Sequence, residues 1–319
     1  MAAGIADGGT AGLPTRPPLV VLGPTASGKS DVAMAYAREV PGAEIVAVDA
    51  MQVYRRMDIG TAKPTADDRA AVRHHGVDLV EPSADFAVPE FTAAVSDALA
   101  GIAARGGSAV LVAGTGLYLR AITDPMDVPG TWPDVRRELE ARGAAGGVGE
   151  LFAELQQLDP AAAAKIDPAN GRRIVRALEV CLGSGRRFSS YGPGLDAYPP
   201  TAFRMLGLRW PRPQLASRIE DRVHRMVAAG LVAEVARLIA EPGGLSRTAR
   251  QALGYKEIIE HLEGTTTLDA AIERVITRTR QFAVRQERWF RRDPRIRWVD
   301  VEHDPVAEVL PVLRDWGAR

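Results

Sequence analysis

The chain has 319 residues, 46% of them hydrophobic and 25% charged, a composition that is typical of folded globular proteins and excludes a disordered or fibrous chain. Its 40 basic and 40 acidic residues cancel, so net charge gives no argument for a nucleic-acid or membrane partner. No apolar run approaches the roughly 20 residues of a membrane-spanning helix, and the single cysteine, Cys181, excludes an intrachain disulfide. We therefore expect a cytoplasmic protein with no membrane partner.

The first half of the chain alternates short apolar runs with helical segments. Residues 1–16 lack the apolar core of a secretory signal and are predicted to form a disordered tail. The predicted elements that follow are strand 18–22, helix 30–39, strand 44–48, helix 91–105 and strand 108–112. Because strands that alternate with helices pair in parallel, this order predicts an α/β fold with a parallel sheet.

The second half of the chain is mainly helical. Strand signals disappear between residues 129 and 200, where the predicted helices are 132–142, 149–158 and 171–182. The elements predicted after them are strand 203–208, helices 214–239, 255–262 and 268–292, and strand 296–301. We therefore predict a P-loop NTPase-like parallel-sheet core over residues 17–128 and 201–319, including the C-terminal helices, with a helical insertion domain at 129–200.

A glycine-rich motif joins the first predicted strand to the first predicted helix. Its pattern is G-x-x-x-x-G-K-[ST], formed by Gly23, Pro24, Thr25, Ala26, Ser27, Gly28, Lys29 and Ser30. In such a loop the backbone N–H groups and the helix N-terminus hold phosphate oxygens, the lysine neutralises charge and the hydroxyl can bind Mg²⁺. We call these eight residues the cradle, and they predict a diphosphate or triphosphate site.

An acidic residue follows the second predicted strand. Asp49 lies at the carboxyl edge of the predicted sheet, where doubly wound proteins build their sites. Nucleotide hydrolases usually carry a magnesium-binding acid after a later strand, but Val112 leads instead into Ala-Gly-Thr-Gly at 113–116. Asp49 is therefore a candidate catalytic residue, with a turn or helix-cap acid as the alternative.

Longer motifs in the chain resemble those of bacterial-type tRNA dimethylallyltransferases. Beyond the cradle, the resemblance is carried by VDAMQVY at 48–54, MDIGTAKP at 57–64, HHGVD at 74–78, GTGLY at 114–118, NGRR and RALEV within 170–180, GYKE at 254–257, and TRQ and RQ within 279–286. It covers nearly everything from Val20 to Trp298.

This resemblance implies transfer of a dimethylallyl group from dimethylallyl diphosphate to N6 of the adenosine on the 3′ side of the tRNA anticodon. The cradle would hold the prenyl diphosphate, while Lys29 and Mg²⁺ on Ser30 would stabilise the charge that builds on the leaving diphosphate. Asp49 would accept the hydrogen bond and the proton of the attacking amine. We expect Mg²⁺ as cofactor, and tRNA and dimethylallyl diphosphate as partners of a monomeric enzyme.

The resemblance also implies a set of tRNA-binding residues. In the family the target base is extruded into a channel, which Asp49, Ala50, Met51 and Gln52 would line, with Thr115 at the channel and Arg136 at the entrance to the insertion. The remaining tRNA-binding residues are predicted in two helical segments, and they are Arg172, Arg173, Ile174, Val175, Arg176, Thr279, Arg280, Gln281, Phe282, Ala283, Val284, Arg285 and Gln286.

The second of these segments has a basic face. The residues Arg278, Gln281, Arg285, Arg288 and Arg292 are spaced by three or four and share one side of the predicted helix. A solvated arginine face is the alternative, because no aromatic residues are interleaved for base stacking. The additional arginines at 172, 173 and 176 favour contact with an RNA backbone.

Three rival functions remain open on the sequence alone. Prenylation of a free adenine nucleotide needs the same cradle and the same carboxylate, and differs only in the size of the acceptor. A small-molecule kinase is compatible with the cradle, but the absence of an acid after Val112 opposes it. A non-enzymatic RNA-binding protein would have no need of Lys29, Ser30 and Asp49 together.

Overall fold

The computed structural model describes residues 17–124, 126–192, 194–195 and 197–318; the predicted tail at 1–16 lies outside the described residues. The strands are β1 (Leu19–Leu22), β2 (Ala43–Val48), β3 (His74–His75), β4 (Ser108–Ala113), β5 (Arg204–Arg209) and β6 (Arg297–Asp300). They form one sheet in the order β3-β2-β4-β1-β5-β6, and every pair is parallel. The predicted α/β fold with a parallel sheet is confirmed.

Helices make up most of the rest of the described chain. They are α1 (Lys29–Glu39), α2 (Ala66–Ala71), α3 (Val88–Ala104), α4 (Gly116–Thr123), α5 (Pro133–Arg142), α6 (Val148–Leu158), α7 (Pro160–Ala163), α8 (Gly171–Ser184), α9 (Arg212–Ala228), α10 (Leu231–Ala240), α11 (Arg247–Arg250), α12 (Tyr255–Leu262), α13 (Leu268–Phe290) and α14 (Pro305–Ala318). None of the helices in the described ranges combines the length and apolar character required to cross a lipid bilayer.

The chain divides into two compact units, one formed by Met1–Thr123 with Pro200–Arg319 and the other by Asp124–Pro199. The first unit contains the sheet, and its central strands β1, β2 and β4 are buried on both faces. In β1, Val20 and Leu22 pack into one core with residues of α3, α10 and α12, whereas Leu19 and Val21 pack into a second core with residues of α1, α9 and α14. Burial on both faces explains why the strands appear in the sequence as continuous apolar runs.

Helices are the regular secondary structure of the second unit in its described residues, 124, 126–192, 194–195 and 197–199, and turns and irregular segments connect them. Its core consists of leucine, isoleucine, valine and alanine side chains, most of them from α5, α6, α7 and α8. Between α5 and α6 the chain kinks over Gly143–Gly147, where Gly146 adopts a non-helical φ of 92°. Glycine adopts this left-handed conformation without steric cost, so the glycine-rich run permits the change of helix direction.

Two features of the fold differ from the sequence prediction. The helix predicted at 214–239 is two helices, α9 and α10, because Gly230 between them has a φ of 100°. The prediction also lacked α14, which contains Pro311 within its length, and several short elements, α2, α4, α7, α11 and β3. A proline inside a helix and helices of one or two turns both give weak periodic signals.

The register of three central strands brings their carboxyl ends together. Leu22 at the end of β1 and Val48 at the end of β2 both pair with Ala113 at the end of β4. The next residues, Gly23, Asp49 and Gly114, therefore leave the sheet side by side. The Gly114 and Thr115 N–H groups also donate to the Val48 carbonyl, at 3.2 and 3.4 Å, which holds the loop after β4 against the loop after β2.

A buried carboxylate fixes the segment after Asp49. Glu234 on α10 is 3% exposed, and it accepts hydrogen bonds from the N–H groups of Asp58, Ile59 and Gly60 at 3.0, 2.8 and 3.3 Å. It also accepts the Tyr255 hydroxyl at 2.6 Å. Two motifs of the sequence, MDIGTAKP and GYKE, are thus joined by a residue outside both.

We predict that Glu234→Ala lowers the free energy of unfolding by about 3–5 kcal/mol, because it leaves three backbone N–H groups and a tyrosine hydroxyl inside the fold without an acceptor. Urea titration followed by circular dichroism measures the change. Glu273→Ala on α13 is the matched control, since Glu273 is exposed, and we expect a change within about 0.5 kcal/mol. Equal losses in both variants would contradict the assigned role of Glu234.

Candidate active site

The cradle is the loop between β1 and α1, which is the strand–loop–helix context that a phosphate-binding loop requires. Gly28 precedes α1 with a φ of 85°, and Ala26 has a φ of 62°. These left-handed residues turn the loop back on itself before Lys29 begins the helix. The Lys29 Nζ atom donates to the Pro24 carbonyl at 3.2 Å, so the ammonium group lies across the loop.

Side chains from three other elements brace the cradle. The Thr25 N–H donates to the Gln286 Oε1 atom at 2.9 Å, the Arg218 Nε atom donates to the Ala26 carbonyl at 2.9 Å, and the Trp210 Nε1 atom donates to the Ser27 carbonyl at 2.9 Å. The Arg218 guanidinium also stacks on the Trp210 ring, 4.4 Å from its centroid. The loop is therefore held in shape by the protein before any ligand binds.

Asp49 uses its two carboxylate oxygens differently. Its Oδ1 atom accepts the Met51 and Gln52 N–H groups at 2.8 and 3.3 Å, so the alternative of a turn acid is correct for this oxygen. Within the described ranges no hydrogen bond is recorded to Oδ2, which lies beside Gly114: a Cβ atom on that glycine would be 3.6 Å from Asp49 Oδ2 and 3.6 Å from the Lys29 Cε atom. The glycine thus leaves open the space that Asp49 and Lys29 border.

The cradle and Asp49 line one cleft of about 1540 Å³. Three arginines of α9, Arg218, Arg222 and Arg225, line it as well. Burial and the nearby Arg222 guanidinium lower the pKa of Lys29 from 10.5 to about 8, against the opposing effect of Asp49 and Asp31. Burial likewise lowers the pKa of Arg222. The cleft therefore concentrates positive charge in a partly desolvated place, as a site for a polyanion requires.

The predicted tRNA-binding residues at 279–286 are divided between the two sides of α13. Gln281 and Arg285 are exposed, and the Arg285 guanidinium lies 5.8 Å from the centre of the Phe282 ring. Ala283 and Gln286 are buried, and Gln286 bridges the cradle and the loop after β4. The tRNA contact remains a prediction for the exposed members, and burial removes the side chains of Ala283 and Gln286 from it.

The other residues of this segment are partly exposed. Arg280 forms an ion pair with Glu220 at 2.6 Å, the Thr279 hydroxyl donates to the Val275 carbonyl at 2.6 Å, and Val284 is half-buried. Arg278, which the sequence placed on the basic face, is paired with the buried carboxylate of Glu257. The basic face is thus narrower than the spacing of its residues suggested.

A second buried carboxylate, Glu179, organises the predicted residues of the helical unit. It is fully buried, accepts hydrogen bonds from the Trp132 N–H at 2.8 Å and the Arg136 guanidinium at 2.6 Å, and forms an ion pair with the Arg176 guanidinium at 3.0 Å. Burial favours a higher pKa, but these hydrogen bonds outweigh it and lower the pKa of Glu179 below its usual value. The guanidinium groups of Arg136 and Arg176 are therefore paired with a buried carboxylate.

The remaining residues of that segment separate by helix face. Arg172 and Arg173 are exposed on α8, whereas Ile174 and Val175 are buried in the core of the helical unit. Arg176 also donates to the Pro129 carbonyl at 2.8 Å. Arg172 and Arg173 are therefore the arginines of this segment that face solvent, and RNA contact remains a prediction for them.

The loop after β4 connects to the predicted channel residues. The Thr115 hydroxyl accepts the Ala50 N–H at 3.3 Å, and Gln52 donates from its side-chain nitrogen to the Thr61 carbonyl at 3.1 Å. Ala50, Met51 and Gln52 are each half-buried. The structure thus places Thr115 beside the segment Asp49–Gln52, and their contact with tRNA remains a prediction.

Sequence reasoning missed the arginines of α9 and the bridging role of Gln286. The spacing of Arg218, Arg222 and Arg225 by four and three indicates one helix face, and this signal was available. The contacts of Gln286 with Thr25 and Gly114 span 261 and 172 residues, and no local pattern reveals them.

A braced glycine-rich loop and a carboxylate that line one arginine-containing cleft are typical of the active site of a group-transfer enzyme. Comparison with known proteins supplies the family. The family model described as IPP transferase matches residues 52–293, and the one described as isopentenyl transferase matches residues 19–75. The chain belongs to the IPP transferase family.

Individual relatives agree with this family. The tRNA dimethylallyltransferase of Kineococcus radiotolerans is 48% identical, over 94% of this chain and 98% of its own. The structure of the full-length tRNA isopentenylpyrophosphate transferase from Bacillus halodurans superimposes with a TM-score of 0.67 at 35% identity, covering 95% of this chain and 97% of that one. A eukaryotic dimethylallyltransferase acting on tRNA has a TM-score of 0.76 at 24% identity, with 94% and 78% covered, a similarity of fold.

We predict that Lys29 titrates near pH 8 and that Arg222→Met raises its pKa, because a neighbouring positive charge is removed. The shift is measured by ¹³C NMR of the reductively methylated protein, in which four lysines give resolvable signals. The pKa of Lys29 in the folded protein lies below its unfolded value of about 10.4. Its charged form therefore opposes folding below about pH 8, and this penalty disappears as the pH rises towards 10.4.

Exposed Lys165 serves as the reference signal in the same spectra. A Lys29 signal that titrates near pH 10.4 and does not respond to Arg222→Met would refute the electrostatic description of the cleft.

Proposed function

We propose that this protein transfers a dimethylallyl group from dimethylallyl diphosphate to N6 of the adenosine on the 3′ side of a tRNA anticodon, with release of diphosphate. We propose further that it acts as a monomer in the cytoplasm. The observation that carries the reaction is the proximity of two groups: Asp49 Oδ2 and the Lys29 Cε atom both lie 3.6 Å from the Cβ position at Gly114. An acceptor that loses a proton and a donor that loses an anion need a base and a cation close to one reaction path.

The donor side of this proposal rests on charge. As the allylic carbon–oxygen bond breaks, its electron pair goes to the diphosphate, and the growing negative charge is stabilised by the cradle N–H groups, Lys29 and the α9 arginines that line the cleft. Bound diphosphate raises the pKa of Lys29 again, so the lysine is charged when the leaving group departs.

The acceptor side rests on Asp49. The adenine amine is a weak nucleophile, and a carboxylate that accepts one of its N–H groups increases its electron density as the new carbon–nitrogen bond forms. The displaced proton then passes to Asp49 Oδ2, while Oδ1 keeps the Met51 and Gln52 N–H groups and holds the carboxylate still. One oxygen orients the group and the other reacts.

Mg²⁺ fits the cradle through Ser30. Ser30 is exposed at the start of α1, beside Lys29. Hard divalent cations commonly bind one or two protein oxygens together with phosphate oxygens and water. Within the described ranges no group of three acidic, histidine or cysteine side chains is placed to hold a metal by itself. Bound at Ser30, the ion would supply positive charge to the leaving diphosphate.

A large acceptor is supported by basic residues outside the cleft. Arg172 and Arg173 on α8 and Gln281 and Arg285 on α13 are exposed and are not among the residues that line the cleft, and a polynucleotide offers many phosphates for such residues whereas a single nucleotide does not. Arginines on a surface contact RNA phosphates without reading sequence. We therefore propose these residues, with Thr115 at the channel, as contacts of the tRNA.

The test is to incubate the protein with Mg²⁺, dimethylallyl diphosphate and unmodified tRNA, digest the RNA and analyse its nucleosides by mass spectrometry. The expected product is adenosine carrying a five-carbon group on N6, and sequencing of RNase fragments places it beside the anticodon. Prenylation of AMP with none of tRNA would establish the nucleotide prenyltransferase instead, and phosphoryl transfer from ATP would establish a kinase.

We predict that Asp49→Asn reduces turnover by about 10²- to 10⁴-fold with little change in the tRNA dissociation constant. Asparagine keeps the oxygen that accepts the Met51 and Gln52 N–H groups, so the variant removes the proton acceptor without removing the turn. Single-turnover kinetics with saturating tRNA measures the loss. Near-normal turnover would exclude Asp49 as the base.

We predict that Arg285→Ala weakens tRNA binding and lowers the slope of log Kd against log salt by about 0.7–0.9, the effect of losing one phosphate contact. Filter binding between about 50 and 200 mM salt measures it. Arg314→Ala is the matched control, because Arg314 is an exposed arginine paired with Glu39 on another helix. A slope that is unchanged in the Arg285 variant would mean that Arg285 makes no phosphate contact and only faces solvent.

A further inference from the structure

One buried amide joins the donor half of the site to the acceptor half. Gln286 is 7% exposed, its Oε1 atom accepts the Thr25 N–H of the cradle at 2.9 Å, and its Nε2 atom donates to the Gly114 carbonyl at 2.7 Å. Thr25 belongs to the loop that would hold the diphosphate, and Gly114 to the loop beside Asp49. The two loops are thus tied through a single side chain.

The chemistry of this bridge admits few substitutes. A backbone N–H needs an acceptor and a carbonyl needs a donor, so the amide orientation of Gln286 is fixed by its two partners. A carboxylate can satisfy Thr25 but repels the Gly114 carbonyl, and an apolar side chain satisfies neither. Since both partners are backbone groups, no neighbouring side-chain substitution replaces the bridge.

The bridge continues into the loop that carries Asp49. Residue 115, next to Gly114, accepts the Ala50 N–H through its hydroxyl, and Ala50 is next to Asp49 in the chain. A Cβ atom at Gly116 would lie 2.0 Å from the Trp289 ring on α13, so α13 is in close contact with the first residue of α4, directly after this loop. A displacement of α13 therefore moves both loops.

The opposite side of the same helix turn faces solvent. Arg285 is adjacent to Gln286, and Gln281 lies about one turn earlier; both are exposed. Helix α13 therefore presents Gln281 and Arg285 to solvent and Gln286 to the cradle. The two sides are connected by the helix itself and not by a loop.

We propose that Gln286 is a positioning residue that sets the distance between the diphosphate cradle and the Asp49 loop, and that it connects this distance to the RNA-facing helix α13. This inference rests on the proposed function and deepens it. Gln286 acts through Thr25 and Gly114 and does not contact RNA. Its loss misplaces the donor relative to the base, which lowers the rate of the chemical step.

The test compares Gln286→Leu with Gln281→Leu, the same substitution on the exposed side of the same helix. We expect Gln286→Leu to lower single-turnover rates at saturating tRNA by about 10²-fold, the effect of misplacing reacting groups by about 1 Å, with a tRNA Kd within about twofold of wild type. Gln281→Leu is expected to weaken the tRNA Kd, and its single-turnover rate at saturating tRNA should fall much less than that of Gln286→Leu.

Gln286→Glu adds a signature that a merely structural role does not produce. A protonated glutamic acid offers a carbonyl oxygen to Thr25 and an O–H to Gly114, which restores both hydrogen bonds. The ratio of variant to wild-type rate should therefore rise as the pH falls from about 8 to 6. The charged groups beside Gly114 are Lys29 and Asp49, and both are present in the wild-type protein and in the variant.

Several results would overturn this proposal. They are a normal single-turnover rate in Gln286→Leu, a loss of tRNA affinity equal to that of Gln281→Leu, or a rate ratio for Gln286→Glu that does not change with pH. If Gln286→Leu fails to fold by circular dichroism, the pH profile of Gln286→Glu decides the question alone.

Failure of the proposed function has a different signature. If the wild-type protein makes no prenylated product but binds inorganic diphosphate with Mg²⁺ in calorimetry, the prenyl transfer is wrong and the bridge is still tested by the same titration. Gln286→Leu must then weaken diphosphate binding by about tenfold or more, and equal binding by the two proteins would refute the positioning role.

Discussion

The site depends on the register of three parallel strands. Leu22, Val48 and Ala113 end β1, β2 and β4 at the same level, so the cradle, Asp49 and the Gly114 loop emerge together. A slip of β2 by one residue would shift Asp49 by about 3.3 Å and turn it to the opposite face of the sheet. The slip would also move Val46 and Val48 to the side of the core formed with α1, α9 and α14, and Ile45 to the side of the core formed with α3, α10 and α12. Packing on both faces thus fixes the chemistry at the edge.

Buried carboxylates position the segments of the chain that lie outside the sheet. Glu234 holds the backbone of residues 58–60, Glu257 accepts the Gly254 N–H at 2.9 Å and pairs with Arg278, and Glu179 gathers Arg136 and Arg176. A carboxylate inside a protein is costly unless its oxygens are fully used. Each of these acids therefore specifies one arrangement of its neighbours, and much of what the sequence motifs encode is this scaffolding rather than contact with substrate.

The sequence predicted the part of the site that local patterns determine. The cradle lies between an apolar run and a helix, and Asp49 ends an apolar run, so strand periodicity and the loop motif were enough to place them. The contacts of Gln286 with Thr25 and of Glu234 with Ile59 join distant segments, and a glutamine or glutamate inside a helix carries no mark of such a partner. The break at Gly230 was missed because one glycine within a helical pattern is commonly tolerated. Side-chain burial, which separates Arg173 from Ile174 and Arg285 from Gln286, follows only once the packing partners are known.

The even charge balance is compatible with RNA binding once the arginines are separated by their partners. Arg136, Arg176 and Arg278 neutralise buried acids and add little to the field outside the protein. Arg218, Arg222 and Arg225 direct their charge into the donor cleft. Arg172, Arg173 and Arg285 face solvent, where salt and RNA phosphates compete for them. The net charge is a sum over all three groups, whereas a nucleic acid at the surface would contact only the solvent-facing arginines. Helix α13 shows this separation within one turn, since Arg285 is exposed to solvent and its neighbour Gln286 is buried against the cradle.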